Sequence, residues 1–273
     1  MGIVKYFEAT TLGDAWYQIL YKIMDQGRDY LIDKGSFEGR QRLGLSVIVE
    51  IKFPGKKPLA PIMPEGMDVS IPTTEEDINE YSTYLMTAVR QPHEHYTYGE
   101  DLHWLIDWVI DYYKKNGYGT NRCYMTVGRP ETVFFYDQSV DYSDVIFVQE
   151  RVSGKQPKPV LGRQITNQWN KDPGNKPSSQ CLRGIDTWID NEKLHFWAYF
   201  RSWDHWGGFP VNLGGIQLMK EHMAGEIGVQ DGVLIASSKD LHLYDHGWKE
   251  AYKLYRNWER VDEFLNKSTE EKG

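Results

Sequence analysis

Residues 181–246 bring together a nucleophile, groups suited to an anion and groups suited to a heterocycle. Cys181 follows a polar stretch and opens a strand-like run, a place where a thiol can face a cleft. A thiolate is strongly nucleophilic and easily regenerated, provided nearby cationic charge favours its ionised form. A lone cysteine beside apolar residues is more commonly small buried packing, so Cys181 has two readings. Cys123, inside Cys123-Tyr124-Met125-Thr126-Val127, has only the second. Arg201 and Ser202 suit a phosphate through a planar guanidinium fork and a hydroxyl, and Asp204 suits the N–H groups of a heterocycle. The same Arg-x-x-Asp pattern also serves as a local salt bridge. Asn212 stands at a turn-to-helix junction, where it either caps the helix or reads a ring edge that sets a carbonyl beside an N–H, as uracil does. His242 and Tyr244 alternate on one strand and share a face, placed for sugar hydroxyls or for packing.

The elements that must position these groups follow from hydrophobic periodicity. Leu12, Ala15, Trp16, Ile19, Leu20, Ile23 and Met24 predict a helix with one apolar face, stopped by Gly27. Leu45, Val47, Val49, Ile51 and Phe53 alternate as a strand ending at Pro54, and the prolines at 54, 58, 61, 64 and 72 mark an irregular connector. Helical spacing returns at Ile78, Tyr81 and Leu85, then from Leu102 to Tyr113 with closure at Gly117. The 123–127 run predicts a short strand. Ile185–Ile189 and Leu194–Phe200 form a hairpin turning at Asp190-Asn191-Glu192-Lys193. A Gly-Gly-Phe-Pro turn at 207–210 leads into a helix carrying Ile216, Met219 and Met223. Leu234–Ala236 and Leu241–Tyr244 predict two short strands, and Trp248 to Phe264 a last helix before a charged tail from Lys267. Strands and helices mix without regular βαβ alternation. The expectation is one α+β domain over 1–273, a mixed β-sheet flanked by helices, with a polar insertion at about 130–178.

Composition mostly excludes. A chain of 273 residues, 40% hydrophobic and 14% aromatic, suits a folded domain rather than a disordered tail. The net charge of −8 argues against a nucleic-acid coat, while leaving room for a local basic pocket. Two cysteines exclude a disulfide framework and a four-cysteine zinc site. His93-Glu94-His95 offers two metal ligands with no evident third, so no metal is expected. Ten Trp and eighteen Tyr raise a carbohydrate-binding reading, but Trp16, Trp248 and Tyr252 fall on helical apolar stripes and are more simply core. With no apolar run near membrane-span length and no signal-peptide core, a cytoplasmic protein free of membrane is expected.

The motifs gain force in combination. Gln180-Cys181, Tyr199-Phe200-Arg201-Ser202-Trp203-Asp204, Gly208-Phe209-Pro210-Val211-Asn212 and Asp240-Leu241-His242-Leu243-Tyr244 resemble the core of thymidylate synthase and the related deoxypyrimidylate hydroxymethylases. Order and spacing agree, with 20 residues from Cys181 to Arg201, 31 to Asn212 and 61 to His242. The wording of these segments looks most like the divergent archaeal branch. Upstream, Tyr98-Gly99 resembles the family's Tyr-Gly before its long helix. Thr120-Asn121-Arg122 resembles the segment that lends arginine to the neighbouring subunit's phosphate, with Arg122 alone remaining of the usual pair. Arg40 or Arg42 matches the phosphate arginine of the N-terminal loop. Glu80 is the counterpart of the glutamate that organises water and protons near the base.

The resemblance implies a thymidylate synthase-like fold and a reaction. Cys181 would attack C6 of dUMP, and C5 would take a one-carbon unit from 5,10-methylene-tetrahydrofolate or methylene-tetrahydromethanopterin, giving dTMP. Tyr98, Glu80 and Asn212 would attend the chemistry, and Asn212 would separate uracil from cytosine. Arg201, Ser202, Arg40 or Arg42, and Arg122 from across a C2 homodimer would hold the phosphate. His242 and Tyr244 would hold the sugar 3′-hydroxyl, and Asp204 with Gly208 would address the pterin. Three departures stand out. The interval from Arg122 to Cys181 is longer than in the family, Leu182 stands where many synthases have histidine, and residues 266–273 lack the short apolar tail that closes over folate. The last leaves a hydroxymethyl-nucleotide product open, since water exclusion decides between hydride and water. A nucleotide-binding homologue without turnover is the remaining rival, although binding alone needs no thiol. A sulfur walled off from any cavity, or more than about 10 Å from the Arg201 guanidinium, would overturn this reading.

Overall fold

Short polar caps start the helices and apolar stripes bury them. Thr11 Oγ1 accepts from the Asp14 N–H at 3.2 Å and starts helix α1 (Leu12–Gln26), whose Leu12, Ala15, Trp16, Ile19, Leu20 and Ile23 are buried. A capping box between Thr74 and Asp77 starts α2 (Glu75–Leu85), burying Ile78, Ser82 and Leu85. Helix α3 (Gly99–Asn116) opens at a position only glycine fits, because a Cβ on Gly99 would lie 1.8 Å from the Thr87 carbonyl oxygen. The computed structural model describes residues 3–33, 37–89, 96–128, 146–148, 159–161 and 180–257. His93-Glu94-His95, most of the insertion expected at 130–178, Phe264 and the 266–273 tail lie outside the described residues.

The sheet is mixed and eight-stranded, as the α+β expectation requires. Its strands are β1 (Val4–Ala9), β2 (Arg28–Leu31), β3 (Gln41–Ile51), β4 (Tyr124–Thr126), β7 (Leu182–Asp190), β8 (Lys193–Phe200), β9 (Trp203–Asp204) and β10 (Gln230–Tyr244). They run in the order β1-β3-β10-β8-β7-β4, with β2 on β3 and β9 on β10. Pairs β1/β3, β8/β10 and β9/β10 are parallel, and the others antiparallel. Helix α4 (Gly208–Ile227) packs with α1 on one face, over Val47, Val49, Phe196, Ala198, Leu234 and Ala236, all buried. A short α5 (Trp248–Arg256) packs on α1. These elements form one compact unit, 1–127 with 180–273. Residues 128–179 form a second, containing the antiparallel pair β5 (Ile146–Val148) and β6 (Pro159–Leu161).

Two expectations are corrected. The strands expected at 234–236 and 241–244 are one, β10, whose register against β3 shifts between Ser238 and Leu241. The bulge adds residues that break the apolar alternation and so hide the continuity. The Gly-Gly-Phe-Pro turn is also helix, because α4 begins at Gly208 and Pro210 lies in its first turn. First-turn N–H groups have no intrahelical acceptor, so a proline there costs no hydrogen bond.

Candidate active site

The β7–β8 hairpin makes the first juxtaposition. Asn191 and Glu192 adopt φ of 49° and 57°, the left-handed pair of a tight two-residue turn. That turn sets the register from Asp190/Lys193 to Gly184/Tyr199. A bulge between Leu182 and Gly184 then shifts it by one residue to put Leu182 opposite Phe200, so the residues just beyond the open end, Cys181 and Arg201, face each other. The Arg201 N–H donates to the Cys181 carbonyl at 2.9 Å. The Cys181 sulfur is half-buried and lies 3.9 Å from Arg201 Nη2, while Nε donates to the Gln180 carbonyl at 3.1 Å. The thiol therefore lies well within about 10 Å of its cation, on a residue that solvent partly reaches. Cys123 is fully buried, as packing requires. Ser202 follows, half-buried.

Strand β9 makes the second. It pairs with β10 beyond the bulge, setting Trp203 beside Leu241 and Asp204 beside His242. Asp204 Oδ2 accepts from the Gly207 and Gly208 N–H groups at 3.0 and 2.9 Å, so Asp204 caps α4. Asn212, expected as a possible cap, sits instead in the second turn with its side chain free for another task. Its Oδ1 accepts from Trp203 Nε1 at 3.0 Å. The indole is stacked between Phe200, at 4.1 Å and 6°, and Phe209, at 4.7 Å and 25°. Asp204 Oδ1 is buried with no partner among the described residues. Oδ1 is an acceptor left for an N–H, which fits the edge of a pterin.

Tyrosines close the other side of the thiol. The Tyr98 hydroxyl accepts from the Leu182 N–H at 3.4 Å, beside the Cys181 peptide. Burial holds the Tyr98 hydroxyl well above its usual range, with the neighbouring Tyr81, Tyr96 and Cys181 adding to the shift. Tyr96, its ring 5.5 Å from that of Tyr98, is a neighbour of both the Tyr98 hydroxyl and the Cys181 thiol, and burial raises its own hydroxyl. Tyr81 is raised by burial too, with contributions from Tyr84, Tyr96 and Cys181, and it meets the Asn212 side chain. Tyr81 sits close because α2 and α4 touch at glycine, where a Cβ on Gly215 would lie 2.6 Å from Tyr81 Cδ1. Sequence reading assigned Tyr81 to the apolar stripe of its helix and passed over Tyr96. Their signal was weak, since a tyrosine at helical spacing looks like core until its hydroxyl is placed. Glu80 is exposed on α2 and is not among the groups gathered at Cys181.

The fourth wall is β10 with β3. His242 is 1% exposed, and its Nδ1 lies 3.1 Å from the Asp240 carbonyl oxygen. A carbonyl only accepts, so Nδ1 is the donor there, and Nε2 is buried and unpartnered among the described residues. The Tyr244 ring packs edge-on to His242 at 4.6 Å. Burial, then the charges of Asp204 and Cys181, push the Tyr244 hydroxyl up to about 12. Arg42 pairs with Tyr244 in register and binds Asp240 at 3.0 Å, with Tyr30 donating to the same carboxylate. Burial alone would raise Asp240, but hydrogen bonds from His242 and Tyr30 outweigh it and hold it below the usual carboxylate range. Arg40 turns to Asp245 at 3.1 Å and is largely exposed, so Arg42 is the arginine at this wall. Arg122 is exposed in the loop before edge strand β4, away from this gathering. His205, stacked on Trp16 at 5.4 Å, is a buried neighbour that burial lowers to about 3.

Among the described residues no group of three His, Cys, Asp or Glu could hold a metal ion, and no helix is long and apolar enough to cross a membrane. Residues 137–270 match the thymidylate synthase family. A Methanosarcina barkeri protein named "Putative thymidylate synthase" is 26% identical over 247 residues, covering 90% of this chain and 92% of the relative. One of the same name from Methanothermobacter thermautotrophicus is 24% identical over 258 residues, covering 91% and 97%. A Listeria monocytogenes thymidylate synthase is 32% identical over 89 residues, covering 32% of this chain and 28% of its own. These similarities give residues 137–270 a match to the thymidylate synthase family and tie about nine-tenths of the chain, at roughly a quarter identity, to archaeal proteins that carry that name.

Proposed function

We propose that the chain transfers a one-carbon unit to C5 of dUMP through a transient bond between Cys181 and C6, giving dTMP. The observation that carries this reading is the 3.9 Å approach of the Arg201 guanidinium to the sulfur of half-buried Cys181, in a chain whose Asn212 offers an amide able to read a pyrimidine edge. Arg201 supplies the counter-charge for a thiolate and for phosphate at once, helped by Ser202 and Arg42. As sulfur bonds to C6, the C5–C6 electron pair moves towards C5 and O4, and C5 becomes the attacking carbon. Methylene-tetrahydrofolate or its methanopterin counterpart supplies the methylene carbon and then the hydride. Between the two transfers the C5 proton leaves and the carbon–nitrogen bond to the pterin breaks, giving an exocyclic methylene and a free pterin amine. Hydride from that tetrahydropterin then completes the methyl group as the Cys181–C6 bond breaks, restoring the thiolate and leaving the dihydropterin. Asp204 Oδ1, with Gly208 close beneath, suits an N–H of the pterin, and His242 Nε2 and the Tyr244 hydroxyl suit the 3′-hydroxyl.

A homodimer in the cytoplasm completes the reading. The sheet face away from α4 carries Tyr6, Tyr124, Trp197 and Tyr199, each 40–57% exposed and aligned across strands through Ile48, Ser237 and Asp186. A second copy would cover this aromatic face and bring its Arg122 towards the phosphate. Incubation with dUMP and methylene-tetrahydrofolate, followed by mass analysis of the nucleotide, tests the reaction. Gain of a methyl group supports it. Gain of a hydroxymethyl group replaces hydride by water as the last step, and an unchanged nucleotide leaves only binding.

A further inference from the structure

We infer that Trp203 sets base specificity by fixing the rotation of the Asn212 amide. The inference rests on the reading of Asn212 as the base-facing group. An amide side chain can turn over, exchanging its oxygen for its NH2, and each orientation suits a different ring edge. With the NH2 outward it donates to a carbonyl at C4, as in uracil. With the oxygen outward it accepts from an amino group there, as in cytosine.

Indole nitrogen can only donate, so the 3.0 Å bond from Trp203 Nε1 demands the Asn212 oxygen. The indole cannot swing away. It is 2% exposed and clamped between Phe200 and Phe209, and its strand is held to β10 at Leu241. On the other side stands Tyr81, packed against α4 at Gly215, one turn beyond Asn212 on the same helix face. Its hydroxyl is a neighbour of the Asn212 amide. Asn212 thus enters binding with its NH2 committed outward. A cytosine edge meets donor against donor, or must break the indole bond to turn the amide over.

Equilibrium binding of dUMP and dCMP to the wild-type chain and to Trp203→Phe tests this, because phenylalanine keeps the stack and removes the N–H. The expected result is a gain: dCMP binds about three- to tenfold tighter to the variant, while dUMP affinity changes by less than about twofold. A residue that merely supports the fold would weaken both nucleotides together. Should Trp203→Phe fold poorly, replacing the tryptophan by its benzothienyl isostere, with sulfur for N–H, makes the same measurement. An unchanged dUMP-to-dCMP ratio with good dUMP binding overturns the role of Trp203 alone. Failure of the wild-type chain to bind either nucleotide overturns the reading of the site, and this inference with it.

Discussion

The two ends of the α4–β10 pair bury polar residues in opposite ways. At the end away from Cys181, Lys220 is fully buried, yet it binds Asp231 at 3.2 Å and donates to the Gly232 carbonyl. Gln217 donates to Asp231 at 2.7 Å and to Glu221 at 2.9 Å; Gln217 Oε1 and Asp231 Oδ1 have no hydrogen-bond partner among the described residues, but Asp231 Oδ1 faces the Lys220 charge. That end is closed: its charges are answered within the chain. At the Cys181 end, Asp204 Oδ1, His242 Nε2, Arg42 Nε and Gln180 Oε1 are buried without partners among the described residues. Each such group costs about 1–3 kcal/mol if left unpaired, a sacrifice of stability that a closed network avoids. The difference separates polar burial that holds the fold from polar burial that receives a ligand.

Substitutions should divide along the same line. The largest effect is expected of Cys181→Ala, which removes the nucleophile. Exchange of the C5 hydrogen of dUMP with solvent should fall at least about 1000-fold, with the melting temperature close to wild type. At the closed end, Lys220→Ala should cost about 2–3 kcal/mol in denaturant unfolding, because Asp231 loses its counter-charge, and should leave dUMP affinity unchanged. Burial lowers the Lys220 ammonium from 10.5 to about 8. The unfolded chain then holds this proton where the folded chain releases it, so stability from this group rises with pH across that window. Lys220→Met should remove the rise, visible as a flatter difference curve between pH 8 and 10.5. Tyr244→Phe should weaken dUMP about five- to tenfold by calorimetry, with little change in stability. The smallest contrast is between Arg42 on β3 and Arg40 just before it. Arg42→Ala should weaken dUMP measurably, while Arg40→Ala, itself exposed and paired only with Asp245, should fall within about 1 kcal/mol in either assay.

Much of this division was legible in the sequence, and the failures have physical causes. The hairpin was readable because Asn191 marks a tight turn between two alternating runs, but the bulge between Leu182 and Gly184, which brings Cys181 to Arg201, was not. The partnership of Asp204 with α4 was not, since the capping residue lies outside the Gly-Gly-Phe-Pro segment that conceals the helix start. Asn212 read as a cap for the same reason. Tyr81 and Tyr96 escaped because a ring buried on an apolar stripe and a hydroxyl aimed at a thiol are the same letter. Glu80 looked suitable by type and neighbourhood, yet one step of 100° around α2 puts Tyr81 inward and Glu80 outward.

The central claim, a covalent bond from Cys181 to the pyrimidine, is tested most directly with 5-fluoro-dUMP and methylene-tetrahydrofolate. Fluorine at C5 cannot depart as the proton does, so the adduct should persist through denaturation. Peptide mass spectrometry should then find nucleotide and folate on the peptide containing Cys181, and none on the Cys181→Ala protein. An unmodified Cys181 under saturating ligand, or the same mass gain on Cys123, would contradict it.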